Sequence, residues 1–515
     1  MTKPRRIILL GLDGATWDQL QPAVDRGELP NLGRLLERGA HGVLESTVPP
    51  TTPPAWSSSQ TGVGPGRHGI FDFRATPHAD PERRLVSLQQ MKGLKLWQVL
   101  NRQHRTCGYL NVPVLYPPDP VDGYMISGMM TPGPEVEFTH PAELKAEIFR
   151  LFPDYVLDVD IPKYDAEFWE DAKIFLDDVE HATRRRIELF LHLLATRPCD
   201  FQMLVLEATD RVGHLFWKYL DPRQPLFQAP LAPRVRARYA EILRLIDDFL
   251  GELLARTERG YDLWLMSDHG FGTNDAYFNA NTWLERLGLL GIRREVAWKK
   301  RAFYRAWKVG ESRAMRALVP KPIQRRLRNR IRRGRSSFLS DLETSLDFDR
   351  TPVFYASIPC HGLFIRRRGP GAVGSDGEYA ALRERLRREL TGLRHPDGGP
   401  LCDRVWDREE LYEGPLTWTA PDLVFCCRDY AVVPRPLLGA TELLMDLGAA
   451  PNGFHRPDGI FAAVGEGIEP GTLGRSSILQ IAPTVLARLG LPRPPGWQAA
   501  PIPLDGGKEP RPAGV

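Results

Sequence analysis

Runs of apolar residues mark the buried strands of this sequence. Ile7–Leu12, Phe201–Leu206 and Tyr261–Met266 are largely apolar and do not alternate with polar residues. That pattern is typical of parallel strands that are covered on both faces. Val43–Ser46 predicts a fourth, shorter strand.

Helical periodicity separates the predicted strands. Ala232–Arg256 has the apolar spacing of an amphipathic helix. Trp17–Glu37 is broadly helical but is interrupted at Pro30, and Asn31 is predicted to cap a second helix there. Strands that alternate with helices predict an α/β fold, in which helices flank a mostly parallel central sheet.

A proline-rich turn after the short strand predicts another helix start. Thr52 occupies the position of an N-cap, and Pro53 the first helical position, where proline is well tolerated. A helix that begins there is expected to direct backbone N–H groups and the positive end of its dipole towards an anion.

Composition limits the class of protein. The chain has 515 residues, of which 42% are hydrophobic and 26% are charged, as in soluble globular proteins. The N-terminal apolar run ends at Asp13, too early for a signal peptide. Six scattered cysteines without a CxxC spacing indicate neither a disulfide framework nor a cysteine zinc site, so we expect a cytoplasmic location.

The chain is expected to form one catalytic domain over residues 1–505, followed by a loose tail over 506–515. Residues 75–200 are rich in proline and aromatic residues and are predicted to form an insertion that covers the substrate. Residues 296–345 are predicted to form a basic helical insertion. Neither insertion contains a motif that identifies a substrate, and oligomeric state is not indicated.

The positive charge is concentrated in one segment. Residues 299–335 contain 15 Lys and Arg against one acidic residue, which leaves the remainder with a net charge of −10. A solvated helical face is the simplest interpretation. Because Trp298, Phe303, Tyr304 and Trp307 lie among these charges, peripheral contact with an anionic membrane is an alternative. No nucleic-acid motif accompanies the segment.

Carboxylates and imidazoles follow the predicted strands. Asp13 follows the first strand, and Asp268-His269 follows the third. Asp210 and His214 are four residues apart, so one helical turn would align them. Because the carboxyl ends of parallel strands carry the chemistry of such folds, these residues are candidate ligands for zinc, or for manganese or iron. Each of them taken alone is more often structural.

The segment Val48–Phe73 resembles the nucleophile region of the alkaline phosphatase superfamily, in its type I phosphodiesterase/nucleotide pyrophosphatase branch. In that branch a proline, a Thr-Gly pair and a His-Gly pair follow the nucleophile, as they follow Thr52 here. Further matching blocks occur in the family's order along the chain: GLDG at Asp13, EATDRVGH at Asp210, SDHGFG at Asp268, GFHRPDGIF at His455 and SSILQIAPTVLARLGLP near the C-terminus.

This resemblance implies an alkaline phosphatase-like three-layer sandwich with two divalent metal ions. By it, one ion is held by Asp210, His214 and His455, and the other by Asp13, Asp268 and His269. Thr52 is implied to be the nucleophile, which forms a covalent phospho-threonine that water then hydrolyses.

One position departs from the family. Relatives usually have an asparagine shortly after the nucleophile, where it contacts a phosphate oxygen, whereas this sequence has Ala55. Ser57 or a backbone N–H is a candidate replacement, and Trp56 is a weaker candidate for stacking on the substrate.

Three other polar residues near these motifs have structural interpretations. His68 is expected to support the loop beside the site, Arg67 to be solvated, and His361 to be structural unless it reaches the site.

The leading functional prediction is a metal-dependent phosphodiesterase or pyrophosphatase. Phosphomonoesterase, phosphonate hydrolase and phosphoryl transferase remain open because they would use the same site. A sulfatase is disfavoured because Thr52 cannot become formylglycine. A non-catalytic metal-binding protein on a hydrolase fold is the alternative from another class, and the complete ligand set disfavours it.

Overall fold

The computed structural model describes residues 5–159, 161, 168–311, 341–342, 344–447 and 452–505. The strands are β1 (Arg6–Leu12), β2 (Ala40–Glu45), β3 (Cys107–Val112), β4 (Gly123–Ser127), β5 (Thr139–His140), β6 (Phe201–Leu206), β7 (Tyr261–Met266), β8 (Gly270–Asn274), β9 (Ala276–Asn279), β10 (Gly291–Ile292), β11 (Leu346–Asp347), β12 (Val353–Tyr355), β13 (Gly362–Ile365), β14 (Cys402–Asp407), β15 (Leu423–Cys427), β16 (Val432–Arg435), β17 (Leu444–Asp446), β18 (Asn452–Arg456), β19 (Asp458–Val464), β20 (Gly471–Thr472) and β21 (Ser476–Ser477).

The helices are α1 (Trp17–Asp25), α2 (Pro30–Arg38), α3 (Thr52–Thr61), α4 (Pro65–His68), α5 (Leu96–Arg102), α6 (Glu143–Leu151), α7 (Trp169–Thr196), α8 (Ala208–Leu220), α9 (Ala232–Thr257), α10 (Ala280–Arg286), α11 (Arg294–Glu311), α12 (Asp376–Gly392), α13 (Arg408–Leu411) and α14 (Ile481–Arg488). Short 3₁₀ turns connect several of these elements, among them Ile358–Cys360 between β12 and β13.

A central sheet organises the molecule. Its strands follow the order β20-β2-β19-β7-β1-β6-β3-β4-β5, with β21 paired to β2. The middle strands β7, β1, β6, β3 and β4 are parallel to one another, whereas β19 and β5 are antiparallel to their neighbours. The mostly parallel sheet that the sequence predicts is therefore confirmed.

Helices cover both faces of this sheet. Successive residues of β1 point to opposite sides, so that Ile8 and Leu10 pack into one hydrophobic core while Ile7 and Leu9 pack into the other. The first core contains α1, α2, α7, α8 and α9, and the second contains α3, α5 and α14. Burial on both faces explains why these strands are apolar throughout.

Smaller sheets lie beside the central one. β12, β13, β15 and β14 form a four-stranded antiparallel sheet with its own apolar core. β8 continues the chain from the end of β7 and pairs with β18, with Phe271 opposite His455. This pairing brings a residue from near the C-terminus to the carboxyl edge of the central sheet.

The predicted strands and the long helix are confirmed to within a few residues, but two predicted caps are wrong. α2 begins at Pro30 after Leu29, and Asn31 instead donates its N–H to the Asp247 carboxylate of α9 at 3.0 Å. An N–H group at the start of α2 is therefore satisfied by a carboxylate on another helix. Local sequence cannot reveal such a remote partner. α3 begins at Thr52, and its N-cap is Thr51, which has extended backbone angles.

The segment 75–200 is not chiefly an insertion over the substrate. It contributes β3, β4 and β5 to the central sheet and α7 to the first core. Its proline and aromatic residues therefore belong largely to the body of the fold. The predicted basic insertion begins with α11, whereas residues 312–340 and the predicted tail at 506–515 lie outside the described residues.

None of the helices that the structure describes combines the length and the apolar content needed to cross a membrane.

Candidate active site

Two groups of carboxylates and imidazoles meet at the carboxyl edge of the central sheet. In what we call the outer group, Asp210 and His214 are one turn apart on α8, and His455 approaches them from β18. Asp210 Oδ1 lies 3.2 Å from His214 Nε2 and 3.4 Å from His455 Nε2. All three potential ligand atoms lie within 4.8 Å of one another.

The inner group consists of Asp13, Asp268 and His269, which follow the neighbouring strands β1 and β7. His269 Nε2 lies 3.4 Å from Asp268 Oδ2 and 3.7 Å from Asp13 Oδ1. Thr52 Oγ1 is 3.2 Å from His269 Nε2. The first residue of α3 thus stands directly beside the inner group.

The two groups adjoin each other. The rings of His269 and His455 stack with their centroids 3.7 Å apart and their planes at 20°. The structure therefore brings together all seven residues for which the sequence resemblance implies a role in metal binding or nucleophilic attack: Asp13, Thr52, Asp210, His214, Asp268, His269 and His455.

Each aspartate has one oxygen held by the protein and one that faces the cluster. Trp56 Nε1 donates to Asp13 Oδ2 at 3.1 Å, and the N–H of Gly14 donates to Asp268 Oδ1 at 3.2 Å. The other oxygens, Asp13 Oδ1, Asp268 Oδ2 and Asp210 Oδ1, are buried and have no hydrogen-bond partner among the described residues. Buried carboxylate oxygens without partners are costly, and a cation is the group that would satisfy them.

The histidines are oriented in the same way. His269 Nδ1 lies 3.0 Å from the carbonyl of Gly270, and His455 Nδ1 lies 2.9 Å from the carbonyl of Pro50. Because a carbonyl only accepts, each neutral ring has its proton on Nδ1 and presents the lone pair of Nε2 to the cluster. Such outer hydrogen bonds are typical of histidines that bind metals.

The charges of the two groups differ. Burial, together with Asp268 and Asp210, raises the pKa of Asp13 well above its usual range, and burial raises the pKa of Asp268 as well. Burial also opposes the charge of Asp210, but His214 and His455 hold its pKa well below the usual range. Only added positive charge would let the carboxylates of the inner group ionise together.

A glycine makes the inner group compact. Gly14 has φ of +66°, and a Cβ at this position would lie 3.2 Å from the Asp210 backbone. Its left-handed conformation aims its N–H at Asp268. In the GLDG motif, the glycine that follows Asp13 therefore donates the hydrogen bond that orients Asp268.

Few donors are available on the helix that carries Thr52. Pro53 and Pro54 have no N–H, and the N–H of Ala55 is bonded to the Thr51 carbonyl at 3.1 Å. The N–H of Thr52 is the remaining donor of this turn. The expectation that several backbone N–H groups face the substrate is therefore wrong.

Trp56 and Ser57 are both enclosed. A Cβ at Gly11 would lie 2.6 Å from the Trp56 ring, so the indole fits against bare backbone while it orients Asp13. Ser57 is five residues beyond Thr52, which places it roughly 140° around the helix from the nucleophile position. Neither placement favours direct contact with a substrate at Thr52.

His68 and Arg67 have the surroundings that the sequence predicts. His68 Nε2 lies 3.0 Å from Ser58 Oγ, and its Nδ1 accepts the N–H of Ile70, so it ties α3 to the following turn. Arg67 forms an exposed ion pair with Glu413.

Sequence reasoning missed one charged neighbour of the outer group. Arg211 Nη1 lies 3.4 Å from Asp210 Oδ2, and Arg211 Nη2 lies 2.7 Å from Asp158 Oδ1. Arg211 thus supports the oxygen of Asp210 that faces away from the cluster. Its only sequence signal is its position directly after Asp210 in EATDRVGH.

The family model for type I phosphodiesterase / nucleotide pyrophosphatase matches residues 7–347. This chain belongs to that family. Its members are hydrolases of phosphoric esters that use divalent metals, and the present chain is a phosphoric ester hydrolase. No curated protein matches the chain in sequence.

Two solved structures are among those to which this chain is similar. Phosphonoacetate hydrolase from Sinorhizobium meliloti 1021, in complex with phosphonoacetate, is 13% identical, with a TM-score of 0.51 over 94% of this chain and 96% of that chain. Human ectonucleotide pyrophosphatase / phosphodiesterase 5 is 14% identical, with a TM-score of 0.48 over 95% and 96%.

The family match does not extend to the whole site. It includes Thr52, the inner group and two residues of the outer group, but it ends more than a hundred residues before His455. The position of His455 in this family member rests on the pairing of β18 with β8.

Proposed function

We propose that this protein hydrolyses phosphate diesters or pyrophosphates, with Thr52 as the nucleophile. The inner and outer groups each bind one divalent cation in this proposal, and zinc is the leading candidate. The observation that carries the proposal is the set of buried, unpartnered carboxylate oxygens beside Thr52 Oγ1. A mixed set of aspartate and histidine ligands suits zinc, and manganese or iron are alternatives.

In this proposal Thr52 Oγ1 attacks phosphorus, and the bond from phosphorus to the leaving oxygen breaks. Water then cleaves the bond between phosphorus and Thr52 Oγ1 and releases the phosphate product. The cations would supply Lewis acidity for both steps, since a threonine hydroxyl is otherwise a weak nucleophile. Trp56 and Gly14 hold the aspartates with their free oxygens turned inward.

The test compares bis-p-nitrophenyl phosphate with p-nitrophenyl phosphate, with zinc or manganese, for wild type and Thr52→Ala. We expect metal-dependent cleavage of the diester that is lost in Thr52→Ala. Thr183→Ala is the matched control, because Thr183 is another buried helical threonine, whose hydroxyl donates to the Val179 carbonyl of its own helix. Metal content is measured in parallel.

Other outcomes would change the proposal in defined ways. A strong preference for the monoester would make the protein a phosphomonoesterase with the same nucleophile. Cleavage of phosphonoacetate instead of either ester would favour a phosphonate hydrolase. Phosphate recovered on an added alcohol would indicate a phosphoryl transferase. Two bound metals without any turnover would favour the non-catalytic alternative.

Ser57 remains a prediction as a substrate contact. Its hydroxyl has no hydrogen-bond partner among the described residues. If it binds a phosphate oxygen despite its position on α3, Ser57→Ala should raise KM for the diester. An unchanged KM would remove it from the site.

We also propose a cytoplasmic location, with contact to anionic membranes through the basic segment. The six cysteines are free thiols, which suits a reducing compartment. On α11 the side chain of Trp298 is 63% exposed beside Lys299, whereas Tyr304 is buried and donates to Glu442. Aromatic and basic side chains together favour an anionic interface.

Sedimentation with vesicles tests this contact. Binding to phosphatidylserine vesicles, but not to phosphatidylcholine vesicles, should fall in the double variant Trp298→Ala, Lys299→Glu. Trp418→Ala removes another exposed tryptophan, far from α11 in the chain, and is the control. Equal binding by wild type and the double variant would contradict a role for α11.

A further inference from the structure

His361 occupies a strained position beside the candidate active site. It follows the 3₁₀ turn Ile358–Cys360 and has φ of +44°, in the left-handed region that residues other than glycine rarely adopt. Such conformations are energetically costly and occur preferentially at functional sites.

The side chain of His361 is buried without an obvious structural reason. It is 1% exposed, and neither ring nitrogen has a hydrogen-bond partner within the described ranges. By contrast, both ring nitrogens of the buried His68 are bonded. A buried imidazole without partners destabilises the fold, so His361 contributes little to stability through its polar atoms.

The surroundings of His361 connect it to the outer group. Its ring lies 6.0 Å from that of Phe454 and 5.2 Å from that of Tyr430. Phe454 in turn stacks on His455 with centroids 5.1 Å apart and lies 6.1 Å from His214. The half-buried ring of Phe454 is therefore a common neighbour of His361 and of two candidate metal ligands.

The same loop contacts the nucleophile turn. Thr51 Oγ1 donates to the carbonyl of Pro359 at 3.3 Å, and Thr51 directly precedes Thr52. The loop that carries His361 thus contacts the turn before Thr52 and lies beside Phe454, the residue before His455. Phe425 fixes the loop from behind by donating its N–H to the His361 carbonyl at 2.8 Å.

Backbone strain continues on the facing segment. Arg428, Asp429 and Tyr430 have φ values of 52°, 49° and 64°, so three successive residues other than glycine are left-handed. The Tyr430 carbonyl accepts from Arg456, the residue after His455. Left-handed residues therefore occur both at His361 and on the segment that faces it, and such conformations are concentrated at functional sites.

Burial, and next the neighbouring His455, lower the pKa of His361 to about 3, although the nearby Phe425 backbone acts in the opposite direction. The ring is therefore neutral and has one N–H donor and one acceptor. The turn at Thr52 is poor in donors, since Pro53 and Pro54 have no N–H and Ala55 has no polar side chain. A phosphoryl group that gains charge in its transition state requires donors at this place.

We propose that His361 binds the substrate and donates a hydrogen bond to a phosphoryl oxygen, which supplies the donor that the turn at Thr52 lacks. This inference rests on the proposed function. It adds a substrate-contacting residue from the loop between β12 and β13, outside the segment that matches the family model.

The test uses His361→Gly, because glycine adopts the left-handed backbone without strain. For the zinc-loaded variant we expect kcat/KM for bis-p-nitrophenyl phosphate to fall on the order of 10²-fold, and inorganic phosphate to bind more weakly by calorimetry. Zinc content should stay at the wild-type value. His104→Gly is the matched control, since His104 is also left-handed, at φ of 54°, but exposed on a distant loop.

Small molecules separate hydrogen bonding from packing. Pyrrole and furan have similar five-membered rings, but only pyrrole has an N–H. We expect pyrrole to restore part of the activity of His361→Gly and furan to restore none, with no effect of either on His104→Gly. Equal restoration by both rings would show that His361 only fills space and would overturn the inference.

A second variant keeps the inference testable if His361→Gly does not fold. Asn tolerates left-handed backbone and keeps a donor, so His361→Asn should lose less than about 10-fold in kcat/KM. Wild-type activity in His361→Gly, with unchanged phosphate affinity, would overturn the inference alone. If wild type cleaves no ester, the proposed function fails, and the phosphate affinities of the two proteins still decide the role of His361.

Discussion

The inner and outer groups have similar ligands but are held by the fold in different ways. The inner group follows two adjacent parallel strands in the middle of the central sheet, and its side chains are fully buried. The outer group combines the first turns of α8 with β18, and its His214 side chain is 23% exposed. The inner group is therefore part of the core, whereas the outer group forms where a peripheral strand meets a helix.

This difference in position within the fold should affect how fast each group exchanges its cation. The register of β1 and β7 fixes the inner group, whereas the outer group depends on the β8–β18 pairing. Peripheral elements open more readily than core strands. We therefore expect cations to exchange faster at the outer group, and the variants below test that contrast.

The largest effect should come from Thr52→Ala. Removal of the nucleophile should lower kcat by ~10⁴-fold or more, as in other enzymes that lose theirs. Metal analysis should still find two zinc ions per chain, because the six ligands are unchanged. Loss of one ion from this variant would mean that Thr52 itself holds the inner cation, and the two groups would then differ in ligand number as well.

Chelation should distinguish the groups next. With EDTA, zinc should leave in two phases, the faster one from the outer group, with rates that differ on the order of 10-fold or more. His214→Ala should remove the fast phase, and Asp268→Asn the slow one. A single phase in wild type would contradict the contrast between a core site and a peripheral site.

Trp56→Phe should weaken the inner group alone. It keeps the ring but removes the N–H that orients Asp13, so zinc affinity of the slow phase should fall about 10- to 100-fold. Trp97→Phe is the control, because Trp97 Nε1 donates in the same manner to Asp119, outside the site. Equal affinity in Trp56→Phe and wild type would mean that packing alone orients Asp13.

The smallest effect concerns the thermal stability of the metal-free protein. Asp268 has a raised folded pKa, so its contribution to stability is complete below the unfolded value of about 3.9 and is lost as pH rises through the folded value. At pH 8 the metal-free Asp268→Asn variant should therefore unfold roughly 1–3 °C above wild type. With zinc it should unfold below wild type.

The outer group should respond with the opposite sign. Asp210 has a lowered folded pKa, so its contribution is present above the unfolded value and is lost as pH falls through the folded value. Because protonated imidazoles cause this lowering, metal-free Asp210→Asn should unfold below wild type by a similar amount at pH 5, below the usual pKa of histidine. Differential scanning calorimetry in EDTA measures both variants, and shifts of the same sign would contradict the charge difference between the groups.

The strands of the core could be predicted because their local composition, a continuous apolar run, indicates burial on both faces. Phe201–Leu206 and Tyr261–Met266 have the predicted bounds, and the ligands that follow them lie at the expected edge. The predicted caps of α2 and α3 failed where the partner is remote, as at Asn31, or where neighbouring threonines compete, as at Thr51. The role of residues 75–200 was mispredicted because β3 and β4 join the central sheet only through the pairing of β3 with β6, which local sequence does not reveal.

By itself, the sequence determined the alternation of strands and helices, the family and the identity of the candidate ligands, because motif order and apolar runs are local properties of the chain. Tertiary structure alone decided which oxygen of each aspartate is free, that Trp56 donates a hydrogen bond to Asp13, and that His361 packs near Phe454 beside the outer group. These features depend on contacts between residues far apart in the chain, such as Trp56 with Asp13 and His455 with Pro50. Only the packed sheet brings such groups within hydrogen-bond distance.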